Sequence, residues 1–417
     1  MDSSWILADD ITVRREWFGC LVLSSTRGQF WQFNSDAFEI LRHLVVSQTA
    51  ESLVVLLSDR GFSVEVPDLE SFVFQMVGCG VIKSGQEVTC ARVLYAEQED
   101  FRRDCLVAPS NVTLYMTERC GKKCRHCVVG SSPTADCSGE LSVERWLSVL
   151  DELHTFGVMS VVFTGGEPLM KEGIFDIVHH ADELGFAISF MTDYDRISTW
   201  HLEQLGSLRH LVDLQTSLDG ANFKTHDFVR GRGSFGKALR RMDLFRGHGL
   251  RFTVSSTIGK HNLNEVAGIA AVDNEAGASY LYVNPLAPYG RARNRMASYV
   301  LSDDELRRLG LEYYRLAQEG VIDTGNSFWQ YPGHDLELFH PFRGVLDVVS
   351  LAICNLSLDG HGNCYLDSKM KSEGLICLGN AIHDSLSEMW SDPRLNDLRS
   401  RYESGGLTFI DRSLLGL

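Results

Sequence analysis

The chain has 417 residues, 44% of them hydrophobic and 23% charged, ordinary material for two or three globular domains. Its formal net charge of −16 argues against non-specific binding to nucleic acid or to an anionic membrane, and no stretch approaches the ~20 apolar residues of a transmembrane helix. The start, MDSSWILADD, lacks the basic and long apolar runs of a secretory signal, and eleven cysteines suit a reducing compartment and metal thiolates better than disulfides, so a cytoplasmic location is expected.

Residues 1–90 read as a self-contained unit. Ile11–Arg15, Cys20–Ser24 and Gln29–Phe33 form three short strands, the last two joined by Ser25–Gly28. Helices are predicted at Asp36–Val46, Ala50–Asp59 and Leu69–Val77, the second stopped by Gly61 and the third by Gly78 and Gly80. This is a winged-helix-like layout, which elsewhere suggests DNA. Charge decides against it: the unit holds twelve Asp and Glu against six Lys and Arg, a balance that cannot neutralise phosphates. Three short runs carry another likeness: Arg14, Arg15, Glu16, Phe18 and Gly19; Phe30, Phe33 and Asn34; Ala37, Ile40 and Leu41. Through them the unit resembles the precursor-peptide recognition element typified by the D protein of pyrroloquinoline quinone biosynthesis (PqqD-like). That resemblance implies a leader peptide added as a further strand beside the third strand and against the third helix. A plain structural cap over a strand edge is the alternative. Residues 91–110 follow as a linker.

Val112–Thr117 is predicted as a strand and leads into LYMTERCGKKCRHCVVG, where Cys120, Cys124 and Cys127 stand at Cys-x3-Cys-x2-Cys spacing. Three thiolates on one loop can hold three irons of a 4Fe-4S cluster and leave the fourth open to a small chelating molecule. A structural site closes its coordination shell instead. Zinc held by Cys124, His126 and Cys127, or simple buried thiols, are the alternatives. No second ligand pair follows at suitable distance, and Gly121, Lys122, Lys123 and Arg125 are poor core material.

Further on, Ser160–Thr164 reads as a short buried strand ending in Gly165, Gly166, Glu167 and Pro168. Two glycines at a strand end let the backbone approach a ligand closely. With these two motifs the sequence resembles the radical S-adenosylmethionine (SAM) superfamily, whose cysteine loop follows the first barrel strand and whose Gly-Gly-Glu-Pro ends the second. The resemblance implies that the amino and carboxylate groups of SAM chelate the open iron, with Gly165, Gly166, Glu167 and Pro168 in the cofactor site. A third match, DLQTSLDGANFKTHDFVRGRG at Asp213–Gly233, implies Ser217 and Arg230 as ribose or carboxylate contacts. Arginine suits that task because its planar fork grips a carboxylate bidentately. Asp219 reads as a turn former. Where similar enzymes often carry Thr-Asn-Gly after the third strand, this chain has Thr192, Asp193 and Tyr194.

Strands are predicted at Ala187–Thr192, Val212–Ser217, Arg251–Thr257 and Tyr280–Pro285 as well, alternating with helical apolar spacing such as Trp146, Val149, Leu150 and Leu153 ahead of Gly157. Six parallel strands with outer helices make an α/β fold, a partial (β/α)6 TIM barrel over residues 111–295, with ligands at the carboxyl ends of the strands. Gly290, Arg291 and Ala292 resemble the strand-six Gly-Arg-Ala of peptide-modifying relatives.

Residues 296–417 form a bridging region and a small extension. Asn326–Phe342 is rich in aromatics (Phe328, Trp329, Tyr331, Phe339, Phe342) and reads as packing between barrel and extension. Cys354, Cys364 and Cys377, with Asp359-Gly360 and Gly379-Asn380 between and after them, resemble the start of a SPASM or Twitch extension, which implies an auxiliary 4Fe-4S cluster. No cysteine follows Cys377, so a Twitch-like half SPASM domain with a single cluster is expected; core cysteines or zinc are the alternative. His334, His340, Cys20, Cys79, Cys90 and Cys105 read as residues of the fold. Cys137 does too, unless the fold brings its thiol to a substrate radical as a hydrogen-atom donor.

The expectation is a radical SAM enzyme that matures a ribosomally made precursor peptide, abstracting hydrogen with a 5′-deoxyadenosyl radical and forming an oxidative cross-link, thioether or carbon–carbon. The partners implied are the peptide, held through its leader, and a flavodoxin or ferredoxin-type reductant. A peptide epimerase or small-molecule dehydrogenase of the same superfamily is the enzyme alternative, and an iron–sulfur regulatory protein without turnover the other. No residue stands out as general acid or base.

Overall fold

The computed structural model describes residues 4–85, 88–95, 105–321, 355–367, 371–372, 374, 376–396 and 399. Cys354, the aromatic stretch Asn326–Phe342, His334 and His340 lie outside them.

The N-terminal unit comprises β1 (Trp5–Leu7), β2 (Ile11–Glu16), β3 (Gly19–Ser24), β4 (Gln29–Phe33), α1 (Ser35–His43), α2 (Ala50–Ser58), α3 (Val66–Gly78), β5 (Ile82–Ser84) and β6 (Arg92–Leu94). Asn34 starts α1 by accepting the Ala37 N–H at 3.0 Å. Helix α3 begins before its apolar spacing does, because Pro67 is pre-set for a first turn. Strands β4, β3 and β2 pair antiparallel in that order, and β1 pairs with β5. The segment expected as linker contributes β6, which runs parallel to β2 and closes that edge. Among the described residues β4 has no partner on its outer side. One face of this sheet buries Val13, Cys20 and Val22 against Phe38, Leu41 and Val73 of the helices.

The second unit alternates strand and helix, with two helices between its fourth and fifth strands: β7 (Asn111–Tyr115), α4 (Val143–Phe156), β8 (Ser160–Thr164), α5 (Ile174–Glu183), β9 (Ala187–Met191), α6 (Thr199–Gly206), β10 (Leu211–Ser217), α7 (Phe223–Arg230), α8 (Ser234–Gly247), β11 (Thr253–Ile258), α9 (Val266–Ala276) and β12 (Leu281–Pro285). The strands β7 to β12 lie side by side in chain order and parallel. Trp146, Val149, Leu150 and Leu153 of α4 share one buried cluster with Val112, Leu114, Val161 and Phe163, as helical and strand periodicities require. Gly157, at φ +95°, ends α4 in the left-handed conformation that glycine adopts without strain.

After α10 (Arg291–Arg295) and α11 (Asp303–Gln318) the sheet gains three strands that the six-strand expectation did not include. β13 (Asn355–Leu358) pairs parallel with β7; β14 (Asn363–Tyr365) and β15 (Gly379–Asn380) continue antiparallel. Leu356, Leu358 and Cys364 are fully buried beside Leu114, so this edge extends the same core. The short α12 (Leu386–Trp390) is tied to α4 by the Leu386 N–H, which donates to Glu152 Oε1 at 2.8 Å. The whole is an α/β fold around a mostly parallel nine-stranded sheet.

The N-terminal unit docks on the amino ends of the parallel strands. Arg14 Nη1 donates to Gly157 O at 2.7 Å and to Pro109 O at 3.1 Å. Glu16 accepts Arg14 Nε at 2.7 Å and the Val107 N–H at 2.9 Å. Leu23 packs with Met159 and Ala187, and a Cβ on Gly28 would stand 3.0 Å from Val212. Those barrel residues start strands or precede them, so this unit and the cysteine loop occupy opposite ends of the sheet.

Candidate functional site

Beyond the end of β7 the chain enters the loop of Cys120, Cys124 and Cys127, three free, half-buried thiols. The Cys120 N–H donates to Ser132 O at 3.2 Å, the Lys122 N–H points at Cys120 Sγ at 3.4 Å, and the Arg125 N–H reaches Val229 O at 2.9 Å. Burial pushes the Cys120 thiol up to about 12 and that of Cys124 to about 11, the latter against the pull of the nearby Arg230 charge.

Gly165 and Gly166 bring the end of β8 into contact with this loop. The Gly166 N–H donates to Thr117 O at 2.7 Å and the Glu167 N–H to Arg119 O at 2.9 Å. A Cβ on Gly166 would lie 2.2 Å from Arg119 O, so only glycine permits the approach. The buried Glu167 carboxylate accepts from Thr192 Oγ1 at 2.7 Å, the Asp193 N–H at 2.9 Å and the Leu169 N–H at 3.2 Å. Burial nevertheless lifts its pKa to about 7. Its carboxylate thus joins the second strand end to the third. Pro168 is buried and opens a single 3-10 turn.

Behind the loop lies a network of buried charges. Arg230 donates through Nε to Asp219 Oδ2 at 2.5 Å and through Nη1 to Asp193 Oδ2, while Nη2 lies 3.4 Å from His126 Nε2. Asp193 Oδ1 accepts from Thr216 Oγ1 at 3.1 Å, the Ser217 N–H at 3.1 Å and Arg241 Nη2 at 2.9 Å. Burial would raise Asp193, but Arg230, Lys122 and Arg241 hold its carboxyl well below the usual range. The Lys122 ammonium pairs with Asp195 at 3.2 Å. Asp219, read from sequence as a turn former, is instead a fully buried partner of Arg230 that also accepts the Thr257 N–H at 2.8 Å, and Arg230 draws it down to about 2 against the effect of burial. Burial keeps His126 neutral, its pKa lowered to about 4. Asp193 and Arg241 carried no motif; the one signal was that Asp193 breaks the Thr-Asn-Gly pattern. Arg230 reaches the loop at His126, with its fork engaged by two protein carboxylates, whereas Ser217 meets this network through its backbone N–H on Asp193.

The sixth strand closes the arrangement. Gly290, at φ +53°, sits so near Val128 that a Cβ would meet its carbonyl oxygen at 1.8 Å. The Arg291 N–H donates to Cys127 O at 2.9 Å, and its guanidinium to the carbonyls of Cys124 at 2.6 Å, Gly130 at 2.7 Å and Ser131.

Toward β13, Cys137 Sγ lies 3.6 Å from Thr117 Oγ1. Glu118, Asp359 and His361 bring their ligand atoms within 4.8 Å of one another, but the Lys371 ammonium takes the cation position, pairing with Glu118 and, at 2.9 Å, with Asp359. Of the second cysteine triplet, Cys364 is buried on β14 and Cys377 is exposed, its thiol donating to Gly379 O at 3.2 Å. Burial, then the charge of Cys377, pushes Cys364 upward. Cys354 lies outside the described residues.

A family model described as the radical SAM superfamily matches residues 114–271. Fe-coproporphyrin III synthase of Methanosarcina barkeri is 30% identical over 295 residues, 66% of this chain and 72% of that protein. The chain belongs to the radical SAM superfamily. Another relative is the antilisterial bacteriocin subtilosin biosynthesis protein AlbA of Bacillus subtilis, 26% identical over 301 residues, 71% of this chain and 64% of AlbA. The crystal structure of Streptococcus suis SuiB bound to precursor peptide SuiA shares the fold, with a TM-score of 0.70 at 16% identity over 95% of this chain and 90% of SuiB. The chain spans 60%, 64% and 59% of the length of three of the curated relatives it matches.

Membership of the radical SAM superfamily implies a 4Fe-4S cluster and SAM. The donor set fits: three thiols share one loop, and the buried cations Lys122 and Arg230 lie beside them to offset thiolate charge. Cys120, Cys124 and Cys127 would hold such a cluster, which when bound would supply an electron for reductive cleavage of SAM. The chain contributes the loop geometry, the electrostatics behind it and exclusion of water. Among the described residues no helix is long and apolar enough to cross a membrane.

Proposed function

We propose that this radical SAM enzyme modifies a precursor peptide, by oxidative cross-linking in the first instance. In this reading Cys120, Cys124 and Cys127 hold the SAM-binding cluster, and Gly165, Gly166, Glu167, Pro168, Ser217 and Arg230 shape the SAM site. Cys354, Cys364 and Cys377 contribute to an auxiliary cluster that removes the second electron or binds a peptide thiolate. Residues 1–90 act as a PqqD-like recognition element, 111–295 as the barrel and 296–417 as the bridge and Twitch-like extension.

One observation carries the reading: the open edge of β4 with α3 lying alongside it. Phe33 and Phe72 meet edge to face at 6.4 Å, and Arg27 Nη1 donates to Cys79 O at 2.8 Å, so strand and helix flank one groove. Phe33 and Phe72 are both half-buried at this groove, and a groove of this kind accepts an added strand. The likeness to AlbA, and to the fold of SuiB, which was solved with its precursor peptide, supports the same reading.

The test is incubation of the reconstituted enzyme, SAM and a strong reductant with the short peptide encoded beside the gene. Loss of two hydrogens from the peptide supports cross-linking; unchanged mass with an inverted residue points to epimerisation. Phe72→Asp should weaken peptide binding at least tenfold and leave peptide-free SAM cleavage intact. No deoxyadenosine from the wild type would defeat the catalytic assignment. A second reading, a tetrapyrrole substrate, draws on the Fe-coproporphyrin III synthase match and is checked by offering a coproporphyrin to the same preparation.

A further inference from the structure

We propose that Asp193 is a positioning residue that fixes the place and balances the charge of Arg230 beside the cysteine loop, and thereby sets how readily the cluster accepts its electron. The proposal rests on the assignment of the cluster to Cys120, Cys124 and Cys127.

Asp193 occupies a junction. It follows the end of β9; its N–H donates to Glu167 at the end of β8 and its Oδ1 accepts from Thr216 and Ser217 of β10. Its two oxygens are divided between two buried arginines, Arg241 on Oδ1 and Arg230 on Oδ2, whose side chains are 2% and 8% exposed. Arg241 is anchored separately, with Nε donating to Thr216 Oγ1 at 2.6 Å. Arg230 has nowhere else to turn: Nε is held by Asp219 and Nη2 faces His126, the residue between Cys124 and Cys127. The carboxylate therefore determines both where the guanidinium stands and what net charge the loop experiences.

Charge is the physical link to function. A guanidinium cannot shed its proton in a protein, so the Arg230 cation can be balanced only by neighbouring anions. Asp193, Asp195 and Asp219 face Arg230, Arg241 and Lys122, three against three, with the half-exposed Lys237 also on Asp195. In a site this buried, an unmatched charge is screened less than one at the surface and so acts on its surroundings. Reduction adds a negative charge to the cluster. A neutral group at position 193 leaves excess positive charge beside the loop and makes that step easier; loss of Arg230 makes it harder.

The test is an EPR-monitored redox titration of the full-length, anaerobically reconstituted protein, following the signal that changes when SAM is added. Asp193→Asn should raise the ratio of reduced to oxidised cluster about tenfold at a fixed potential, which is about 59 mV in the positive direction for a one-electron couple. Arg230→Gln should shift the midpoint the other way, and the double variant should return toward wild type because the two charges are removed together. A purely structural role would lower cluster occupancy and leave the midpoint of the clusters that do form unchanged; that result overturns the proposal, as does a shift of the same sign in both single variants. A wild type with no SAM-responsive signal would overturn the cluster assignment itself, and the proposal with it.

Discussion

Arg291 Nη1 donates to the Cys124 carbonyl oxygen at 2.6 Å, linking the turn after the sixth strand to the middle of the cysteine loop. With its backbone N–H on Cys127 O and its other guanidinium nitrogen on Gly130 and Ser131, one residue engages four carbonyls of that segment. These bonds hold the loop from outside itself and fix where its thiols stand.

Arg291→Ala removes the guanidinium bonds and should cost about 2 kcal/mol, a usual value for hydrogen bonds made by a charged group. Iron bound per chain after reconstitution should fall, and the holoenzyme should melt earlier. Arg291→Lys keeps the charge but not the fork, so it should recover only part of the loss. Full iron loading in the alanine variant would contradict the clamp.

Gly166→Ala places a methyl group 2.2 Å from a backbone oxygen of the loop, and Gly290→Ala one at 1.8 Å with a positive φ besides. Backbone cannot yield as a side-chain tip does. Each substitution should cost about 1–3 kcal/mol and sharply reduce cluster absorbance. Gly185→Ala serves as the control: it shares the positive φ, +78°, but its Cβ would meet nothing within 4 Å. It should lose some stability and keep its iron.

The Arg14–Glu16 pair joins the N-terminal unit to the barrel with side chains only 3% and 0% exposed. Arg14→Met strands a buried carboxylate and should destabilise by about 3–5 kcal/mol, whereas Arg14→Met with Glu16→Leu should restore much of that. Urea unfolding of both variants and the Glu16→Leu single completes the cycle. Additive effects would show that the two side chains act independently.

Asp273 on α9 is 1% exposed, its Oδ1 has no hydrogen-bond partner among the described residues, and burial alone pushes its pKa to about 8. At pH 3 the folded and unfolded chains both carry the proton. As pH rises from about 4 to about 8 the unfolded chain releases it and the folded chain keeps it, so this group takes stability away across that window. Asp273→Asn should flatten the decline and be more stable than wild type at pH 8 by about 1–3 kcal/mol. Equal pH dependence in the two proteins would refute this.

The cysteine loop, the Gly-Gly-Glu-Pro turn and the alternation of strand and helix were legible because each is a local pattern, written in neighbouring residues. The three strands and three helices of the N-terminal unit were legible for the same reason, to within a turn at helix ends. The strand β6 hid in an apparent linker because three residues, Arg92–Leu94, carry too little periodicity, and it is pairing with β2 that makes them a strand. β13 was equally silent until β7 offered an edge.

By itself the sequence determined the elements of the chemistry: three thiols at one spacing and glycines where the backbone must come close. Only the tertiary structure decided how that chemistry is held. Arg230 reaches Asp193 across 37 residues and Arg241 reaches it across 48. Asp219 could be told from a turn former only once it was buried against that arginine. Ligand spacing is a property of a short stretch of chain, whereas the balance of buried charge depends on which distant side chains the packed strands bring together.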